Sequence, residues 1–508
     1  MTTLRSRLSY LPQELKFGTS GRRGEVVHLT DLEIYINVLA EVEYLQTLGP
    51  SQGGVRLGDE FDVAFDLRPS SVDLFITAVR AVRDGGMVPV NLGAIPTPAL
   101  TYYALLQGKG SIMVTGSHIP FDRNGYKLNT SQGELLKEHE EPINRAVLGV
   151  RQKVYDQPFH LSLFDEQGRF KVSQGDLPPE SDVARSAYIR RYTNFFGGMS
   201  LKGSRLLVYQ HSAVGRDLLV EVLRSFDAEV VPIGRSETFV PIDTENIDAE
   251  QLAAIQALID GPAFAVVSMD GDSDRPLIIG ERFFGGDLVG MIVAEYLGAD
   301  AVVVPISCND AIDRGVLASK LEPKTRIGSP FVIAGMEHAR AKGFEAVCGW
   351  EANGGFLTGS DFRRGDAVLK ALPTRDAMLP ILGVLFAARE RGVTLDELFA
   401  TLPKRYSRAA LLKNYPRETS RRIVERFSRP DARERLETVL KASIERLDYT
   451  DGVRVIFSNG EVVHFRPSGN ADEFRIYAVA DTQERADAIA ANGIREPDGI
   501  LRELERSL

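Results

Sequence analysis

The feature that most constrains the fold of this chain is an alternation of strand-like and helix-like stretches that recurs through about residue 400. Phe61 to Phe65 (FDVAF) is an apolar run of strand length. Ser71 to Arg83 then spaces its apolar residues as a helix does, until Gly85-Gly86 stops it. A short strand at Met87 to Val90, a helical stretch near Ala99 to Leu106 and a strand at Ser111 to Thr115 (SIMVT) complete a first round. A second round sets strands at Arg205 to Tyr209, Val230 to Ile233 and Phe264 to Met269, with helices at Gly215 to Phe226 and Ala249 to Leu258 between them. A third begins at Ala301 to Val304, passes through a helix near Phe331 to Lys342 and reaches Ala346 to Cys348. Strands that alternate with helices specify sheets covered on both faces, so the fold class is α/β, with three doubly wound domains. The repeat is one of architecture, since the rounds share few letters.

Two segments read as connectors. Gly168 to Asp182 is polar and contains Pro-Pro, and Tyr406 to Glu418 carries a Pro and many charges. Beyond the second the pattern changes to a charged helix from Arg421 to Arg446, then short strands around Val453 to Phe457 and Val462 to Phe465. This end reads as a smaller C-terminal α+β domain. The expected partition is therefore 1–170, 180–288, 289–405 and 410–508. A length of 508 residues agrees, at roughly 150 residues per domain.

Charge narrows the partners. With 60 Lys+Arg against 70 Asp+Glu the net charge is −10, the opposite of what a general nucleic-acid binder needs. Any phosphate recognition must be local, made by a few placed Arg and Lys. Two cysteines, Cys308 and Cys348, suggest no disulfide framework and fit a reducing cytoplasm. No apolar run is long enough to span a membrane, and the first residues lack the apolar region of a secretory signal. The expectation is a cytoplasmic protein, monomeric or homodimeric, with no nucleic-acid or membrane partner.

In open α/β sheets ligands bind beyond the carboxyl ends of the strands. The loops at the three equivalent places are TGSHIPFDRNGYK (Thr115 to Lys127), DGDSDRP (Asp270 to Pro276) and GWEANGG (Gly349 to Gly355). Asp270, Asp272 and Asp274 alternate within five residues, and three carboxylates so close repel unless a cation lies among them. Oxygen ligands favour Mg²⁺ or Ca²⁺. A Ca²⁺-binding EF-hand fails, because Arg275 stands at the sixth position, where Gly is needed, and a strand precedes the loop. A Mg²⁺ site open to a phosphate oxygen fits better, with Arg275 as a second cation. Ser117 offers a hydroxyl at a strand end, with His118 beside it and Lys127 ten residues on. Without a G-x-S-x-G elbow, a hydroxyl paired with a three-Asp loop points to phosphoryl transfer. Glu351 and Asn353 offer a carboxylate and an amide suited to sugar hydroxyls. Two further segments, FGTSGRRG (Phe17 to Gly24) and RPSGNADEFR (Arg466 to Arg475), combine Gly-containing turns with arginines, the makings of a dianion cradle. Each of these last two segments alone is also compatible with a solvated loop.

These five segments, in this order, resemble the α-D-phosphohexomutase superfamily, and the resemblance covers the whole chain. It implies three α/β domains and a C-terminal phosphate-binding domain around a central cleft. The first would carry the phosphoserine loop, the second the metal loop and the third the sugar-recognition loop. Ser117 would carry a phosphoryl group, and Asp270, Asp272 and Asp274 would bind Mg²⁺ together with it. Arg23, His118 and Lys127 would lie near the reacting groups, with Lys127 a general acid/base of depressed pKa. Arg275, Glu351 and Asn353 would contact substrate. Arg466, Ser468, Gly469, Asn470 and Arg475 would hold its distal phosphate. The implied reaction moves a phosphoryl group between O1 and O6 of a hexose phosphate through a 1,6-bisphosphate, which also serves as activator. Mannose phosphate is the favoured substrate, with glucose phosphate and N-acetylglucosamine phosphate behind it. Opening and closing of the C-terminal domain, suggested by the connector near Tyr406, would let the intermediate turn over. Many bacterial members have Glu-x-Ser-Gly-His where this chain has Glu351-Ala352-Asn353-Gly354-Gly355. The chain also has Gly116 for the commoner Ala, and Asn470 for Thr. Two other classes remain open at this level: an Asp-nucleophile phosphatase, which lacks its Thr at Pro276, and a sugar-phosphate-binding protein without catalysis.

Overall fold

The computed structural model describes residues 2–18, 21–172, 176–245, 247, 249–429, 431–468 and 472–508. It divides into two compact units. One comprises Met1–Asp243, Ala249–Ile279 and Asp361–Ile381, and the other Thr244–Asp248, Gly280–Ser360 and Leu382–Leu508.

The first unit holds two sheets. In one, Glu60–Phe65 lies between Val88–Ala94 and Ser111–Val114, parallel to both. Arg123–Thr130 returns antiparallel beside Ser111–Val114 and passes the ladder on to Arg22–Glu25. Val63, Phe61 and Ile112 are fully buried among Ile36, Val38, Phe75 and Val79 of the covering helices Asp31–Thr47 and Ser71–Asp84. Burying each such side chain contributes roughly 1.5–3 kcal/mol, and this sets which face of each element turns inward. Thr30 caps the first of these helices by accepting from the Glu33 N–H. In the second sheet Ala265–Met269 and Glu229–Arg235 flank Arg205–His211 in parallel, and Pro276–Ile279 returns antiparallel beside Ala265–Met269.

The second unit repeats the plan on a smaller scale. Ala301–Val303 and Val347–Trp350 are parallel, and Phe356–Thr358 returns antiparallel beside the latter. Its C-terminal part is an antiparallel sheet of five strands in the order Tyr406–Lys413, Glu473–Ala480, Val462–Pro467, Val453–Phe457, Ile444–Asp448. One face is covered by helices around Phe427, Phe465, Phe474, Ile476 and Leu501.

Nearly every predicted strand and helix forms within a few residues of its expected bounds. Two readings are corrected. The connector at Tyr406 to Glu418 is largely a strand, paired residue for residue from Tyr406↔Ala480 to Lys413↔Glu473. It lies at the sheet edge with only Leu412 buried, and its apolar run Ala409 to Leu412 is followed by the charges and proline of Lys413 to Glu418. A hinge there loses its footing, because the segment is bound along its length into the C-terminal sheet. The single charged helix from Arg421 to Arg446 is instead two helices, Arg417–Phe427 and Ala432–Leu440, followed by the strand Ile444–Asp448. Pro430 falls between them in sequence, and proline does not continue a helix. Among the described residues no helix is long and apolar enough to cross a membrane.

Candidate active site

Each motif loop leaves a parallel strand at its carboxyl end and is closed by an antiparallel return strand. The Ser117 loop joins Ser111–Val114 to Arg123–Thr130, the three-Asp loop joins Ala265–Met269 to Pro276–Ile279, and the Glu351 loop joins Val347–Trp350 to Phe356–Thr358.

In the first unit the Ser117 and Asp270 loops meet. Ser117 is fully buried, and its hydroxyl donates to Asp270 Oδ2 at 2.7 Å. Ser117 and Ser273 hold φ of +53° and +61°, left-handed values that cost energy for residues other than glycine and cluster at working sites. Gly271 permits the approach, since a Cβ there would stand 2.6 Å from the Ser117 carbonyl oxygen. The three carboxylates are fully or almost fully buried, and one oxygen of each lies within 4.8 Å of the others.

Their hydrogen bonds are not symmetric. Asp270 Oδ1 accepts the N–H groups of Asp274 and Arg275. Asp272 Oδ2 accepts from Thr97 Oγ1 at 2.6 Å and from Lys127 Nζ at 2.7 Å. Asp274 Oδ2 accepts from Lys127 Nζ at 2.7 Å and Arg375 Nε at 3.0 Å. The other oxygens, Asp272 Oδ1 and Asp274 Oδ1, are buried without a hydrogen-bond partner. Buried oxygens left so are expensive unless a cation takes them. Two orphaned carboxylate oxygens, Asp270 Oδ2 and the Ser117 hydroxyl form an all-oxygen donor set that fits a hard divalent cation.

The electrostatics follow from burial and pairing. Burial, reinforced by Asp272 and Asp274, pushes the Asp270 carboxyl well above the usual range. Burial works the same way on Asp272 and Asp274, but it is outweighed there, chiefly by Lys127 for the one and Arg375 for the other, and both are held low. Lys127 corrects an expectation. Burial does work to depress it, yet the Asp272 and Asp274 carboxylates prevail and hold its ammonium above the ordinary lysine value. Arg23, on the strand Arg22–Glu25, is lowered to about 10 by burial and by the nearby positive charges of Arg275 and Arg375. His118 is placed beside the serine, its Nδ1 3.4 Å from Ser117 Oγ and 2.9 Å from Arg275 Nη1. A guanidinium only donates, so this nitrogen is the acceptor of the ring. The first unit thus brings together Arg23, Ser117, His118, Lys127, Asp270, Asp272, Asp274 and Arg275.

The remaining expected residues belong to the second unit. Glu351 and Asn353 are buried in a tight turn, in which the Gly354 N–H reaches the Glu351 carbonyl and Asn353 Oδ1 accepts from the Gly355 N–H at 3.0 Å. The carboxamide oxygen of Asn353 therefore serves the turn itself. Trp350 and Phe356, paired across the ladder at the ends of this loop, stack with rings 5.9 Å apart and nearly parallel. In the C-terminal sheet Arg466 and Arg475 are direct cross-strand neighbours. Like charges so placed repel, which suits a site for an anion. Arg475 is steadied by Glu473 at 2.9 Å, Arg466 lies 3.5 Å from Asp451 Oδ1, and the buried Ser468 donates its N–H to the Glu473 carbonyl. Gly469 and Asn470 lie outside the described residues.

Sequence reasoning missed Arg375, Thr97 and the pair Asp66 and Arg68. Arg375 sits on the strand Leu372–Asp376, and its neighbour Asp376 is held by the hydroxyls of Tyr188 and Tyr192. Nothing in LPTRDAM marks it, because its partner Asp274 is remote in sequence. Asp66 and Arg68 do follow a parallel strand, Glu60–Phe65, and that position was their signal.

Comparison with known proteins adds a separate line. The family model described as phosphoglucomutase/phosphomannomutase, alpha/beta/alpha domain I, matches residues 14–153, and that for domain III matches residues 285–406. A phosphomannomutase of Sinorhizobium fredii (strain NBRC 101917 / NGR234) is 38% identical over 493 residues, which is 94% of this chain and 98% of the relative. One of Salmonella muenchen is 37% identical over 477 residues, 93% of each. Among solved structures, a phosphoglucomutase/phosphomannomutase family protein of Burkholderia thailandensis aligns with a TM-score of 0.70 at 18% identity, covering 98% of both chains. An Aspergillus fumigatus N-acetylphosphoglucosamine mutase in complex with GlcNAc-6P and magnesium aligns with a TM-score of 0.55 at 15% identity, covering 99% of this chain and 98% of that one.

Proposed function

Because the chain belongs to the phosphoglucomutase/phosphomannomutase family, and so is a phosphohexomutase of the isomerase class, we propose that it interconverts mannose 1-phosphate and mannose 6-phosphate through a phosphoserine at Ser117. The observation that carries the chemistry is the Ser117 hydroxyl, buried and 2.7 Å from Asp270 within a cluster of three aspartates. The choice of mannose rests on the two phosphomannomutases at 37% and 38% identity.

In this reading Ser117 gives its phosphoryl group to the free hydroxyl of a hexose monophosphate. The resulting 1,6-bisphosphate turns over, and its other phosphoryl group returns to Ser117. Asp270, Asp272, Asp274 and Ser117 would hold Mg²⁺, which when bound offsets charge on the phosphoryl oxygens. Arg275 and Arg23 add fixed positive charge at the same place. Lys127, an ammonium at neutral pH, donates a proton and clamps charge. The proton of the accepting hydroxyl replaces the phosphoryl group on Ser117 Oγ, and His118, whose Nδ1 is held by Arg275 Nη1, lies beside that oxygen. Glu351 and Asn353 orient the sugar, and Arg466, Ser468 and Arg475, with Gly469 and Asn470, take its distal phosphate. The finer partition into four domains, each carrying one of these loops, belongs to the same proposal, as does activation by hexose 1,6-bisphosphate.

The test is isomerisation of mannose, glucose, N-acetylglucosamine and glucosamine 1-phosphates, each with Mg²⁺ and a trace of the matching 1,6-bisphosphate. The highest kcat/KM is expected for mannose. A higher value for N-acetylglucosamine phosphate would overturn the sugar assignment. Turnover that survives Ser117→Ala would overturn the phosphoserine.

A further inference from the structure

We propose that Arg68, braced by Asp66, is the positioning residue that sets the Ser117 loop for phosphoryl transfer, a role that rests on reading Ser117 as the phosphoryl carrier. Both residues lie in the loop after the strand Glu60–Phe65, and both are about 1% exposed. The Arg68 guanidinium donates to four backbone carbonyls of one loop. Nη1 reaches Pro120 at 2.8 Å and Arg123 at 2.9 Å, and Nη2 reaches Ser117 at 2.8 Å and Ile119 at 2.5 Å. Its flat face lies over the Phe239 ring, 4.0 Å from the centroid.

Asp66 holds the other side. Its Oδ1 accepts from the Arg68 N–H at 3.1 Å and the Ser71 hydroxyl at 2.5 Å. Its Oδ2 accepts from the Thr115 hydroxyl at 2.7 Å, and Thr115 Oγ1 in turn accepts the Ser117 N–H at 2.7 Å. The two main-chain groups of Ser117 are therefore held by side-chain chemistry rooted in one neighbouring loop, N–H through Asp66 and Thr115, C=O through Arg68. A left-handed serine that gains and loses a dianion in every cycle needs such bracing, because nothing intrinsic to its backbone favours the conformation. Lysine cannot replace the fan of donors, since an ammonium has three protons and no plane.

Gly116 supplies an independent handle. A Cβ at Gly116 would meet Arg68 Cζ and Nε at 2.7 Å, and the backbone there is not left-handed, so alanine at 116 disturbs chiefly the seat of the guanidinium.

The experiment compares the parent chain with Arg68→Met, Arg68→Lys, Gly116→Ala and the double variant Arg68→Met/Gly116→Ala, assayed well below each variant's Tm. The readouts are kcat and KM separately, and loss of the phosphoryl group from phosphorylated Ser117 by intact mass. Arg68→Met should lower kcat by about a hundredfold, the scale of a misplaced reacting group, with KM within about threefold. Phosphoserine should be lost to water faster. Gly116→Ala should give a smaller loss of the same kind, and the double variant should be no worse than Arg68→Met, because the clash has lost its object. If Arg68→Met does not fold, Arg68→Lys and Gly116→Ala carry the same comparison. An active parent with kcat in the Arg68 variants and Gly116→Ala unchanged, or losses that multiply in the double variant, overturns the positioning role alone. A parent that never phosphorylates Ser117 overturns the serine reading, and this inference with it.

Discussion

At the scale of residues, the site is a problem of oxygen atoms with different neighbours. Lys127, Arg375 and Thr97 occupy one oxygen of Asp272 and Asp274 and leave the other without a hydrogen bond, though Arg275 Nε stands 3.5 Å from that of Asp274. The candidate metal position is thereby chosen by the protein's own cations. Ser117→Ala should abolish isomerisation while leaving the fold intact, because the hydroxyl makes a single short hydrogen bond to Asp270 and its removal leaves that carboxylate its two N–H donors. Arg475 and Arg466 make a second prediction. Replacing either by methionine should raise KM for hexose phosphate by roughly ten- to a hundredfold, the worth of a hydrogen bond to a charged group, with a smaller effect on kcat. Steady-state kinetics on the preferred sugar decides it. Equal losses in kcat and kcat/KM would place these arginines in the chemical step instead.

Elements respond to pH through two buried histidines. His211, on the strand Arg205–His211, has its Nε2 2.7 Å from the Met269 carbonyl just before the three-Asp loop, and burial lowers its pKa to about 4. His464, in the central part of the C-terminal sheet, is lowered to about 3 by burial, with Arg454 and Arg466 adding to the effect. In the unfolded chain each would titrate near 6.5, so below that pH the unfolded state binds protons that the native state refuses. Stability should therefore fall as pH drops from about 6.5 toward 4, by on the order of a few kcal/mol from each histidine. Urea unfolding at pH 7 and pH 4.5, read for the parent and for His464→Gln, checks this, since the variant should lose part of the pH dependence. Elements also show what sequence reveals and what it hides. The parallel strands and their helices were legible because periodicity marks them, and the motif loops because they sit at strand ends. The edge strand Tyr406–Lys413 was not, since its short apolar run Ala409 to Leu412 is masked by the charges and proline of Lys413 to Glu418. The return strand Arg123–Thr130 escaped notice because it spells RNGYKLNT, polar in letters though all but its first residue is buried.

For the whole molecule, cation binding and stability should be linked. A ligand that binds only the folded state stabilises by about 2.7 kcal/mol at a hundredfold excess over its Kd. Adding Mg²⁺ should raise the melting transition that involves the first unit, and Asp272→Asn combined with Asp274→Asn should remove that rise. Calorimetric scans with and without the ion, on parent and variant, distinguish specific binding from a general salt effect. The candidate site was readable in the sequence as far as its three aspartates and its serine. Its bracing was not, because Asp66, Arg68, Thr97 and Arg375 become neighbours of the motif only when distant segments fold together. The turn at Glu351 has a different kind of consequence. Its two ends are fixed by the Trp350–Phe356 stack and by the ladder, so the residues between these rings form an exchangeable cassette. On the proposed reading of Glu351 and Asn353 as sugar contacts, transplanting that stretch from a relative of different selectivity should change the sugar preference, with the sheet as an unchanged socket.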